Sequence, residues 1–278
     1  MSETITKTAP RFSILRFALQ TAGQYVVLLL LFRFTLPSLW ASQFAAGWLA
    51  IVLTFLGFHL FMCFFEWYFH RYVLHAITSP VLQMFAHAHR NHHGLTPIRL
   101  QPVAEGSDRY VLNRYPITHE DQHQDSAFPW FALLAFWALF TPLIVLMQWL
   151  FPGLPMLLGG YTAITWSMTL YEILHAIEHQ PYEWWKHATE HPRFGFVWRQ
   201  LYGFHHMHHA NTSCNEAISG FFGLPVADWV FRTYHQPKEL LLEGRVATAR
   251  DFAVGSPPRI VRWLDGWARK RESQLRRS

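Results

Sequence analysis

The stretch Phe204-His205-His206-Met207-His208-His209 packs four imidazoles into five residues, and the same density recurs upstream as His175-x3-His179, His89-x2-His92-His93 and His70-x4-His75. On an α-helix, residues four apart differ by about 40° around the axis and residues three apart by about 60°. Each x2-His-His or x3-His group therefore presents its rings from one helix face. The ten residues His70, His75, His89, His92, His93, His175, His179, His205, His208 and His209 read as a ligand set for two metal ions. A surface histidine run is the bland reading of any one group, and the four together argue against it.

A closed structural zinc takes four ligands. Ten imidazoles over two ions give about five each and leave positions open for water or dioxygen, a pattern that iron fits best among the metals imidazole suits.

The composition places this site beside a membrane. Hydrophobic residues make up 51% of the 278, aromatics 17% and charged residues only 15%. A helical bilayer crossing takes about 20 residues, and four apolar stretches reach that length: Phe17 to Leu36, Phe44 to Phe65, Ala127 to Leu150 and Leu154 to Leu174. Trp40, Trp48, Trp67, Trp130, Trp149 and Tyr171 fall near their ends, where aromatic belts form. The first stretch is the weakest, since it carries Gln20, Gln24 and Arg33.

Charge sets the expected topology. The connections Pro37 to Gln43 and Phe151 to Gly153 carry no Lys or Arg, whereas every basic residue except Arg33 falls in the N-terminal tail, in Arg71 to Ser126, or from Lys186 onward. This positive-inside pattern puts both termini and all four histidine groups on the cytoplasmic side. The leading stretch lacks a small-residue cleavage site and reads as an anchor rather than a removed signal. Two cysteines, Cys63 and Cys214, exclude a disulfide framework or a cysteine-held cluster within the chain. The basic stretch Arg259 to Arg277, interleaved with Trp263, Leu264 and Trp267, suits anionic lipid headgroups better than nucleic acid; a solvated helix is the competing reading.

The chain reads as one domain, residues 1–278, with a core over about 59–237 and a basic tail over 238–278. The expected fold is all-α: a polytopic membrane protein with about four transmembrane helices and a cytoplasmic helical cap holding the histidine-rich di-metal site. The second and fourth spans are expected to continue past the bilayer and carry His70, His75, His175 and His179. His59 reads as a hydrogen-bonded core histidine. His187-x3-His191 and His119-x3-His123 have ligand spacing but read as solvated or loop pairs, and His87 and His206 as neighbours of ligands.

In this order and with paired spans between the second and third groups, the four histidine groups resemble the fatty acid hydroxylase and sterol desaturase superfamily of integral-membrane enzymes. The resemblance covers about His70 to Pro237. It extends to Asp228-Trp229-Val230-Phe231-Arg232-Thr233-Tyr234 and Pro237, similar to the family's Trp-Asp…Phe-Gly-Thr-Tyr…Pro ending, although the Trp/Asp order is reversed and Arg232 replaces glycine. It implies a non-haem site with two iron ions, O2 as co-substrate and a lipid substrate (fatty acyl, sterol-like or other isoprenoid) taken from the bilayer. Carboxylates that orient metal-bound imidazoles are expected among Glu66, Glu172, Glu178 and Asp228. No cytochrome b5-type segment is visible, so a separate ferredoxin, cytochrome or reductase is expected to supply electrons. The expected activity is lipid hydroxylation, with desaturation as the enzymatic alternative and a membrane metal-binding or transport protein, or a bis-histidine haem protein, as others. The aromatics Phe64, Phe65, Tyr68, Phe69, Trp166 and Tyr171 serve equally as tunnel lining or helix packing.

Overall fold

The computed structural model describes residues 12–102 and 109–277. The basic N-terminal residues 1–11, which enter the sidedness argument, and residues 103–108 of the segment after the second histidine group lie outside the described residues. The chain is mostly helical, and three of its helices are long and apolar enough to cross a membrane.

The first, α1 (Ile14–Thr35), starts where the Ser13 hydroxyl accepts the Arg16 N–H. It leaves Leu15, Leu19, Val27, Leu31 and Phe34 exposed, the surface expected of a lipid-facing helix. Its glutamines are not stranded there: Gln20 and Gln24 both donate to the Trp130 carbonyl, at 3.0 and 2.9 Å. Residues 37–43, expected as a bare connection, form a short helix instead, α2 (Pro37–Ala45), with proline in its first turn. Gly47, at φ 82°, then turns the chain, so the second long helix, α3 (Trp48–Phe69), begins at Trp48 rather than Phe44. Gln43 is the reason the turn lies here. It is buried, donates to Gln148, and accepts the backbone N–H groups of Leu157 and Leu158.

α3 continues without a break into a π-helical turn, His70–Leu74. The helix α4 (Gln83–Leu95) carries the second histidine group. The mostly helical expectation holds with one addition: β1 (Ile98–Pro102) and β2 (Arg109–Asn113) pair antiparallel, with Ile98 opposite Asn113 and Leu100 opposite Val111. Ile98 and Val111 are buried against Tyr202 and Met207, and packing on a helix is what makes an isolated strand pair stable.

The third long apolar helix, α5 (Ala132–Leu150), starts later than expected, after the turn through Pro129. Next is α6 (Met156–Glu178), long enough to cross but less apolar than the other three. It packs against α1, α3 and α5, most extensively against α3. Small and hydroxylic residues serve such packing; a Cβ on Gly159 would lie 2.6 Å from Thr54 Cγ2. The remaining helices are α7 (Tyr182–Thr189), α8 (Gly195–Ala210), α9 (Val226–Phe231) and α10 (Arg259–Leu275).

Between α6 and α8 on one side and α3 on the other, a tight loop runs from Ser219 to Leu224. Gly220, Phe222 and Gly223 all have positive φ. Two polar side chains of α3 hold it. Glu66 accepts the Ser219 N–H, the Ser219 hydroxyl and the Gly220 N–H. His59 accepts the Phe222 N–H at Nε2 and meets Ser167 Oγ at Nδ1.

Candidate metal centre

The ten histidines singled out in the sequence sort into two groups of five. His70, His75, His89, His93 and His208 form the first; His92, His175, His179, His205 and His209 form the second. Within each group one ring nitrogen per residue lies within 4.8 Å of the others. The α3 end, α4 and α8 supply the first group; α4, the α6 end and α8 supply the second.

Local structure explains each contribution. Five residues apart on an α-helix is about 140° around the axis, so His70 and His75 would diverge. The π-helical turn corrects this: the His75 N–H bonds the His70 carbonyl, and the two rings stack 5.0 Å apart. On α4, His89 and His93 face one group while His92 faces the other; α8 divides in the same way, with His208 apart from His205 and His209. The groups abut where His93 and His209 stack, centroids 4.0 Å apart at 15°.

The Nε2 atoms converge at hydrogen-bond distances: His70 to His89 2.9 Å, His75 to His208 2.9 Å, His92 to His179 3.1 Å, His205 to His179 3.2 Å. Four rings have their tautomers fixed from behind by backbone carbonyls, which only accept. His70 Nδ1–H donates to the Glu216 carbonyl and His208 Nδ1–H to Cys214. His179 Nδ1–H donates to Tyr115 and His209 Nδ1–H to Thr96. In a neutral ring the opposite nitrogen then carries a bare lone pair. Such lone pairs crowded together repel unless a cation lies between them, and buried His175 Nε2 has no hydrogen-bond partner among the described residues. Burial, reinforced by the neighbouring imidazoles, holds His75, His89, His92, His93, His205, His208 and His209 well below the usual histidine pKa, and burial brings His179 down to about 4. Neutral imidazole is the form that binds metal, so these buried clusters fit metal ions.

The carboxylates expected behind the rings do other work. Glu66 holds the 219–224 loop, Glu172 accepts the Phe128 N–H, and Asp228 accepts from Glu216 N, Ala217 N and the Thr233 hydroxyl. Asp228 thus fixes the loop whose carbonyls orient the first group. Glu178 is buried, and neither of its oxygens has a hydrogen-bond partner among the described residues. Among the described residues the carboxylate nearest the imidazole nitrogens is Glu216, unrecognised in the sequence, whose Oε2 lies 3.9 Å from His70 Nδ1 and 4.0 Å from His208 Nδ1. Arg71 binds its other oxygen at 2.8 Å. The β-hairpin has a parallel role, since Thr96 and Tyr115 flank it and orient the second group.

The remaining histidines stand apart. His87, His119, His187 and His191 are exposed and His123 is half-buried; none joins either group. His206 is fully buried but accepts the Leu241 N–H at Nε2, and burial lowers its pKa to about 3. Arg232, standing where the resembled family has glycine, sits at φ 53°, a region in which glycine is unstrained.

A narrow apolar cavity among α3, α5 and α6 reaches His70; Met62, Phe65, Phe69, Phe136, Met168 and Tyr171 line it. Phe64 packs on Phe231 instead, and Tyr68 and Trp166 are exposed. A second narrow cavity touches His89 and His175, one residue from each group, and shares Phe128 and Tyr171 with the first. Comparison with protein-family models, with curated proteins and with solved structures finds no match.

Proposed function

We propose that the chain is an O2-dependent membrane lipid hydroxylase of the fatty acid hydroxylase and sterol desaturase superfamily, in which the two five-imidazole groups hold two iron ions. The observation that carries this reading is the convergence of two buried all-imidazole groups beside an apolar cavity that reaches His70. Arg232 at a left-handed position agrees with the family's glycine there. The bound ions would supply O2 activation and attack on an unactivated C–H bond, chemistry no side chain performs. Balanced, one lipid C–H, O2, two electrons and two protons give the alcohol and water.

The residues of the chain then have assignable tasks. The carbonyls of Glu216, Cys214, Tyr115 and Thr96 keep four Nε2 atoms aimed at the ions. Phe65, Phe69, Phe128 and Tyr171 exclude water and hold an apolar chain beside the site. With α6 as a fourth span, the positive-inside pattern of the basic segments would put the site and both termini on the cytoplasmic face. Electrons would come from a separate ferredoxin, cytochrome or reductase, because Cys63 and Cys214 are both buried and free. The exposed Ile260, Trp263 and Trp267 on α10, beside Arg259, Arg262 and Lys270, suit the headgroup layer of the same membrane.

The test is lipid mass spectrometry under 18O2 with membranes carrying the intact chain or His208→Ala, together with iron analysis of both proteins. A lipid gaining one labelled oxygen only with the intact chain supports hydroxylation. Loss of two hydrogens without label makes it a desaturase, and bound metal with no lipid change in a reducing, iron-replete host favours a metal-binding protein.

A further inference from the structure

A third cavity, of about 340 Å³, lies between α6, α8 and the loop that follows residue 217. Leu170 and Leu174 of α6, Phe204 of α8 and Ile218 of the loop supply apolar walls, and Phe222 and Leu224 are exposed at its mouth.

The mouth lies far from the metal groups along the long helices. Phe222 packs against Phe55 and Trp166 and donates its N–H to His59, all three in the interior of α3 and α6. Phe55 stands about 22 Å along α3 from His70, so with α3 in a membrane the mouth opens onto hydrocarbon. The loop is built for that place. Irregular backbone is tolerated there only where protein takes up its polar groups, and every N–H from Ser219 to Leu224 has a partner. Glu66 accepts those of Ser219 and Gly220, His59 that of Phe222, and carbonyls of the loop itself the other three.

A single layer of side chains separates this cavity from the narrow one that reaches His70. Tyr171 lines the inner cavity, Ile218 and Phe204 line the outer one, and the three pack as one buried cluster. Ser219, the next residue, already lines the inner cavity beside Glu66. The backbone on both sides of Ile218 is pinned, since Asp228 accepts the Ala217 N–H and Glu66 the Ser219 N–H. Rotation of the Ile218 side chain is the motion left that joins the two spaces.

Size selects what passes. The inner cavity encloses about 50 Å³, against the roughly 300–1,000 Å³ of pockets that take drug-sized ligands. A flexible chain threads such a space, whereas a fused-ring skeleton does not. Another opening, between α1 and α4, leads toward His89 and His175, but Arg16, Gln20 and Asp125 line it, which suits polar solutes better than hydrocarbon.

We propose that the third cavity is the entry site for a single alkyl chain of a membrane lipid, and that Ile218 is the partition which the chain displaces to reach the cavity at His70. The proposal rests on the reading of the His70 cavity as the place where a lipid chain lies. Among the substrates which that reading allows, it selects flexible chains over fused rings.

The experiment is photolabelling of the full-length protein in phosphatidylcholine nanodiscs with a hexadecane that carries a diazirine near one end, read residue by residue by mass spectrometry. Adducts are expected on Phe204 or Ile218 in the outer cavity and on buried Met62 and Phe69 in the inner one, with exposed Leu139 of α5 as the lipid-side reference. Leu170→Trp, which fills the outer cavity, should cut the inner adducts about tenfold and leave the Leu139 adduct unchanged. Val197→Trp, at the exposed rim, should do the same and serves if Leu170→Trp does not fold. Ile218→Ala should raise the inner adducts. Unlabelled hexadecane should displace the probe from Met62 and Phe69, while cholestane should not. Inner adducts that survive both tryptophan substitutions, that fall instead with Met84→Trp in the α1–α4 opening, or that cholestane displaces equally would overturn the proposal. Outer adducts that appear only in single-copy nanodiscs would also overturn it, assigning the mouth to a second copy of the chain. Turnover is not read, so the two readings fail separately: the expected adducts with no hydroxylated lipid would keep the chain site and remove the oxygenase.

Discussion

Arg71 and Glu216 form a buried ion pair, Nη1 to Oε1 at 2.8 Å, and the backbone carbonyl of the same glutamate orients His70. Arg71 also binds the Ser213 carbonyl and makes a two-pronged contact with Asp265 of α10. One guanidinium thus ties the end of a membrane-length helix to the loop behind the first metal group and to the C-terminal helix. Arg71→Met strands the buried Glu216 charge and should cost about 3–5 kcal/mol. Thermal denaturation checks the magnitude, and the double variant with Glu216→Gln should recover part of the loss.

Ending the chain after Pro258 removes both Asp265 and Glu272, leaving Arg71 and Arg90 without their α10 partners. Arg90 also donates to the His75 carbonyl. The first metal group should loosen before the second, read as a fall in bound metal per chain while the helical signal persists.

His206 and His208 lie two residues apart and should behave oppositely. His208→Ala deletes a ligand and should lower the metal content of the purified protein. His206→Gln keeps an acceptor for the Leu241 N–H and should leave metal content unchanged, at a stability cost of about 1–3 kcal/mol. Metal analysis alongside melting curves separates the two.

Acid should destabilise the metal-free protein steeply. An unfolded histidine titrates near 6.5, whereas in the fold His179 and His206 titrate at about 4 and about 3. Between those values the unfolded chain holds protons that the folded chain does not. The stabilisation is therefore complete above pH 6.5 and is lost as pH falls, by about 1.4 kcal/mol per pH unit for each such histidine. Melting temperature against pH for the chelator-treated protein gives the slope; a flat profile from pH 6.5 to 4.5 would count against buried neutral rings.

The helical groups were legible because their x2 and x3 spacings keep the rings toward one side of a helix without any tertiary information; which group each ring joins was not, since His92 and His208 turn to the group opposite that of their helix neighbours. His70-x4-His75 was legible only as a density of histidines, since its geometry depends on a π-helical turn that α-helical periodicity does not contain. The strand pair β1 and β2 was hidden by nearby prolines and by its need for Tyr202 and Met207, about a hundred residues away. Glu216 and Arg71 carry no sequence signal for the same reason: each matters through a partner distant in sequence. The helix α6 was found from length, but its small and hydroxylic residues lower its apolar signal because protein, not lipid, covers them.

His59→Leu should destabilise the protein by about 1–3 kcal/mol, through an unpaired Phe222 N–H, and leave its metal content intact. Limited proteolysis at residues 219–224 is the sensitive measurement, because this loop loses one of its two anchors.

Those anchors bear on how the molecule is made. His59 and Glu66 are polar groups in an otherwise apolar helix, and their partners are separated from them by 163 and 153 residues. As the chain is synthesised, α3 emerges long before Phe222 or Ser219 exists. Ionisable groups left unpaired in hydrocarbon are costly, so α3 reaches its final state only after most of the chain has been made. With α3 in a membrane, a chain stalled before residue 219 would leave Glu66 and His59 Nε2 without the loop they hold, so this helix would settle only once the C-terminal half is made.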